Sequence, residues 1–124
     1  MAVCWSNYKT HFVDSGMDFN LSQQDVAIYY SMYLELMKFW KEKFSNKILN
    51  INYEIFVQDF EKNTKKIIDY LDLKWEQKIQ NYQKSKRAVS TASYLQVRDK
   101  IQKNTSHQWK KYENYLKIMQ TTLE

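Results

Sequence analysis

"INYEIFVQDFEKNTKKIIDYLDLKW", residues 51–75, is the stretch on which the fold class turns. At its start Leu49, Ile51 and Tyr53 alternate with Asn50 and Asn52, the period of a strand with one apolar face. Asp59 can cap a helix that follows. Phe60, Thr64, Ile67, Ile68 and Leu71 form one side of that helix, and Lys62, Lys65, Lys66 and Asp69 the other. Asp72 falls near its end, and Trp75 is placed to pack back on it. The stretch therefore predicts a short strand over 47–53 and an amphipathic helix over 60–71. One strand cannot make a sheet, so its partners must lie elsewhere. That points to a portion of a larger, helix-rich α/β domain. A helical bundle with an extended connector is the alternative.

Working outward, residues 2–14 are short and aromatic-rich and predict a helix that Gly16 stops. Ser22-Gln23-Gln24-Asp25 resembles a capping box with Asp at its last position. Val26, Tyr30, Tyr33, Met37, Trp40 and Phe44 then recur at alternating steps of four and three, one face of a long helix over 22–44. The strand would pack between this helix and the one at 60–71. Downstream, Glu76 to Tyr82 reads as another short helix and 84–104 as a polar, basic loop. Residues 106–124 return to helix, with Trp109, Tyr112, Leu116 and Met119 on one side. There is no internal repeat and no linker, so residues 1–124 read as a single unit.

Composition supports this outline. Of 124 residues, 44% are hydrophobic and 16% aromatic, enough for a core and too many for a disordered chain. Pro is absent and Gly16 is the sole glycine, which favours helix over a many-stranded fold with tight turns. No apolar run is long enough to span a membrane, and no signal peptide is evident. Cys4 has no second cysteine to pair with, which fits a reducing, cytoplasmic setting. The net charge of +5 is unevenly spread. Residues 84–111 hold eight Lys and Arg against Asp99 alone, a local +7. Such a segment is either a solvated face or a surface that steers an anionic partner.

Familiar chemical motifs are missing. A single glycine supplies neither a Walker loop nor a dinucleotide fingerprint. His11 and His107 lie far apart, without nearby Cys or paired carboxylates, so no metal site is expected. Cys4 in an aromatic helix reads as a small buried hydrophobe rather than a nucleophile. Lys and Arg interleaved with Tyr and Trp can bind nucleic acid, but these aromatics fall on helix stripes that a core explains.

Three stretches in order carry a resemblance: "CWSNY" (4–8), "INYEIFVQDFEKNTKKIIDYLDLKW" (51–75) and "VSTASYLQVRDKIQKNTSHQWKKYENYL" (89–116). Together they are similar to the C-terminal half of sulfotransferases that use 3′-phosphoadenosine-5′-phosphosulfate (PAPS). The nearest branch is the bacterial, tetratricopeptide-associated one, related to tyrosylprotein sulfotransferases. The shared pattern is a strand ending in Tyr-Glu, a Val-x-Asp helix start and a Leu-x-Trp. It continues with Thr-x-Ser-x-x-Gln-Val-Arg and Ser-x-x-Trp-x-x-Tyr-Glu. The similarity runs over essentially the whole chain.

The resemblance implies a P-loop-like, parallel-sheet fold of which this chain is the C-terminal portion, without the N-terminal phosphosulfate-binding half. It implies that Tyr53 reaches the adenosine part of the donor and that Glu54 is structural. Ser6 matches the serine that binds the 3′-phosphate, whose partner arginine would lie before Met1. Thr91, Ser93, Val97 and Arg98 match the loop over the nucleotide, and Ser106 starts the helix after it. A hydroxyl and a guanidinium suit phosphate oxygens, and Arg can grip them bidentately. The family's Pro positions beside the Val-Arg and before the Trp are here Asp99-Lys100 and Lys74, which loosens the loop. The implied co-substrate is PAPS, with no metal, and the implied partners are PAPS or its product PAP, the missing half and an acceptor hydroxyl or amine. No catalytic residue is matched in this half, so the isolated chain is expected to be inactive. The competing class is a non-enzymatic basic helical module that binds nucleic acid or another polyanion. A bare helical interaction unit is a third.

Overall fold

At Asn52 the chain passes from an extended conformation, φ −78° and ψ 119°, directly into a helix. The computed structural model describes residues 1–12, 16–84, 101, 103 and 105–124. Among them are five α-helices: α1 (Ala2–Lys9), α2 (Gln23–Lys43), α3 (Tyr53–Gln58), α4 (Phe60–Tyr70) and α5 (Lys117–Leu123). Short 3-10 helices cover Asp18–Leu21, Gln77–Lys84 and Thr105–Tyr115. No strand occurs among the described residues. The chain divides into two compact units, Met1–Ile48 with Thr105–Glu124, and Leu49–Asn104.

The strand expected over 47–53 is thus corrected. Residues 48–52 are a connector without a ladder, and Tyr53 opens α3 instead of closing a strand. A strand needs a neighbour to take its amides and carbonyls, and no described segment pairs with this one. Asn52 supplies the local alternative. Its side chain accepts from the Ile55 amide at 3.0 Å, the bond of a helix N-cap.

In the first unit, α2 begins as its sequence predicts: the Ser22 hydroxyl accepts from the Asp25 amide at 3.2 Å. Cys4, Val26, Ala27, Leu116 and Met119 are buried together, with Trp5, Phe19, Tyr30 and Trp109 packed against them. α2 packs on α5, on α1 and on the 3-10 turn at 18–21. The Gln23 amide binds both sides of the entry to α5, donating to the Tyr115 carbonyl at 2.9 Å and accepting from the Met119 amide at 3.3 Å. Buried Asn20 donates to the Thr10 carbonyl. The first helix stops at Lys9, short of the predicted 14. Thr105–Tyr115, expected as α-helix, is the tighter 3-10 form. Its sequence is rich in Thr, Ser, His, Asn and aromatics, all weak α-helix formers.

The apolar stripe of α2 is covered only at its start. Val26 is 1% exposed, whereas Tyr33, Trp40 and Phe44 are 49%, 39% and 46% exposed. The rings instead contact one another along the helix, Trp40 stacking on Phe44 with centroids 5.5 Å apart.

In the second unit, Asp59 caps α4 by accepting from the Lys62 amide at 3.2 Å, as its position predicts. Asn63 donates from α4 to the Ile55 carbonyl of α3 at 2.9 Å. Val57 and Thr64 are buried, and Lys62, Lys65, Lys66 and Asp69 face outward. Leu71, expected on the buried side, is 54% exposed. It sits at the C-cap, where the chain turns away. Asp72 takes φ 53°, and the Leu73 and Asp72 amides bond the Ile68 and Asp69 carbonyls at 3.0 and 3.1 Å, a Schellman ending. Trp75 returns to α4, with Lys65 Nζ 5.2 Å from its ring centroid.

Candidate functional site

Tyr53 stands at the first position of α3, behind the Asn52 cap, and is 52% exposed. An exposed phenol ring on a capped helix start can stack on a flat ligand. Glu54 lies in the first turn of α3, where its charge favours the helix dipole. The capping bond belongs to Asn52, and Glu54 takes no part in it.

Ser6 lies on α1 and is exposed. Its carbonyl accepts from the Thr10 hydroxyl at 2.7 Å, which ties down the helix end just after it. The neighbouring Trp5 is held on two sides: Lys9 Nζ lies 3.9 Å from its ring centroid, and Tyr112 stacks on it at 5.5 Å. α1 is thereby fixed to the 3-10 helix that carries Ser106. The Ser106 hydroxyl lies 3.3 Å from His107 Nδ1. Ser6 and Ser106 belong to the first unit and Tyr53 to the second. Thr91, Ser93, Val97 and Arg98 lie outside the described residues.

Cys4 is fully buried, and desolvation pushes its thiol above the ordinary range, against the opposing pull of the N-terminal charge and a backbone hydrogen bond. A protonated, inaccessible thiol is no nucleophile. Desolvation, then the nearby Cys4 and Tyr33, likewise raises Tyr30. Among the described residues no three His, Cys, Asp or Glu side chains group as metal ligands, and no helix is long and apolar enough to cross a membrane. Two open concavities contain none of the expected site residues: one joins Met1 to Lys117 and Glu124, the other follows the charged outer side of α4.

Sequence reasoning gave no separate role to Tyr82, just before the basic segment, or to Lys103 within it. Tyr82 accepts a hydrogen bond from the Ile101 amide, and Lys103 donates to the Gln58 carbonyl. Nothing local marks them, because both partners are distant in sequence.

The model of a family described as the sulfotransferase family matches residues 1–77. An uncharacterized protein of Aquifex aeolicus (strain VF5) is 28% identical over 116 residues, which is 92% of this chain and 15% of that protein. The chain thus spans about 15% of the length of the curated relative it matches. No solved structure matches it. The family match takes in Ser6, the Tyr53-Glu54 pair and Trp75, and it covers more than half of the sequence: the chain belongs to the sulfotransferase family.

Proposed function

We propose that this chain is the C-terminal portion of a PAPS-dependent sulfotransferase domain and contributes the 3′-phosphate and adenosine contacts. The carrying observation is the family match, which includes both Ser6 and Tyr53. Ser6 would bind the 3′-phosphate and Tyr53 the adenosine. Thr91, Ser93, Val97, Arg98 and Ser106 would close the site, within a segment whose net +7 suits a bisphosphate nucleotide. The complete enzyme would transfer the sulfuryl group to a hydroxyl or amine acceptor in the cytoplasm. Positioning of the reactants and cations on the leaving phosphate would drive the transfer. The phosphosulfate loop, the general base and the parallel sheet would come from the missing half. The short coverage of the longer relative is consistent with such a division.

Calorimetric titration with adenosine 3′,5′-bisphosphate, 5′-AMP and a mixed-sequence DNA oligonucleotide tests this reading. The bisphosphate should bind tighter than AMP. Arg98→Ala should weaken it by about tenfold or more, the loss of a charge-assisted bond. Equal binding of AMP, or tight DNA binding that falls steeply with salt, would instead identify a general polyanion module.

A further inference from the structure

Two hydrogen bonds fasten residues 101 and 103, within the basic segment. The Ile101 amide donates to Tyr82 Oη at 3.2 Å. Lys103 Nζ donates to the Gln58 carbonyl at 3.1 Å. Gln58 is the last residue of α3, the helix that Tyr53 opens. Carbonyls at a helix end have no intrahelical partner, and a cation there also meets the negative end of the dipole. Tyr82 is itself held by rings: it lies 5.4 Å from Phe60 of α4, which meets Phe56 of α3 edge-on at 5.4 Å. Both fastenings therefore lead to α3, one directly and one through an aromatic ladder, and all of these residues lie within the second unit.

We propose that Lys103 and Tyr82 are positioning residues of the nucleotide site. They tie residues 101 and 103 to the helix that presents Tyr53. The Lys103 charge is committed to the Gln58 carbonyl, so it makes no contact with the ligand. The proposal rests on the reading of Tyr53 as a nucleotide contact, but the clamp itself can be measured without nucleotide.

Hydrogen exchange on the 124-residue chain reads the clamp directly. Tyr82→Phe keeps the ring and removes the acceptor, and should speed exchange at Ile101 about fivefold, the effect of one net hydrogen bond. Lys103→Met should speed exchange in the last turn of α3 to a similar degree, and Lys103→Arg should restore it. In a salt series with adenosine 3′,5′-bisphosphate, Lys103→Met should weaken binding about threefold to tenfold with the salt slope unchanged. Unchanged exchange in both variants overturns the clamp. A markedly shallower salt dependence overturns the positioning role, because it marks Lys103 as a phosphate contact. If the wild-type chain binds no bisphosphate, the parent functional reading fails and the site role with it, while the exchange rates still decide whether the clamp exists.

Discussion

Asn52 shows how one residue can serve two patterns. Between Ile51 and Tyr53 it fits the polar position of an alternating strand, and it is equally a strong N-cap. The cap prevails because its acceptor needs only the Ile55 amide three residues on, whereas the strand needs a second chain segment. Ser22 and Asp59 were legible as caps because no competing period runs through them. Cys4 was legible as a core residue for the same local reason, an apolar helix around it. Its burial has a consequence in pH. The folded-state value of the thiol lies above the unfolded value of about 9.0, so the folded chain retains a proton that the unfolded chain loses. Its contribution is full below that pH and is lost as pH rises through the folded value. Urea unfolding from pH 7 to 10.5 should therefore show falling stability in the alkaline range, and Cys4→Ser should flatten the slope. An identical slope in the variant would show that folding leaves the proton affinity of the thiol unchanged.

At the scale of elements, the long helix α2 was legible in outline because a cap and a repeating apolar step act within a few residues. Its surroundings were not. The same stripe is core at Val26 and surface at Trp40 and Phe44; among the described residues α1, α5 and the 18–21 turn pack on α2, and its buried residues Val26 and Ala27 lie near its start. Energetics should follow coverage. Met119, fully buried against α2, should cost about 2–5 kcal/mol when cut to Ala. Trp40→Ala should cost less than that despite removing the larger side chain, because Trp40 keeps 39% of its surface in water and lies outside the buried cluster. Paired denaturant melts compare them directly; equal losses would mean that the far half of α2 is covered in solution. The 3-10 form of 105–115 is a further departure at this scale, set by a run rich in weak α-helix formers whose Tyr112 stacks on Trp5 of α1.

For the whole molecule, membership of the sulfotransferase family and the small share of its longer relative bear on activity. On the proposed division of the domain, the isolated chain should show no sulfuryl transfer in a radiolabelled-donor assay, since loss of an acid–base group or of the donor-holding loop would each cost orders of magnitude in rate. Turnover by these 124 residues alone would demand a base among them, and substitution of His11 and His107 would locate it. By itself the sequence determined the capped starts of α2 and α4, the outward lysines of α4, the buried centre of the first unit and the family. Each of these depends on interactions a few residues apart or on a motif retained in order. Tertiary structure alone decided whether Leu49 to Asn52 is strand or connector, how far the α2 stripe is buried, and that Tyr82 and Lys103 fasten on Ile101 and Gln58. Those outcomes depend on which distant segment comes alongside, and an unpaired backbone or an uncovered apolar face carries no local mark of its partner.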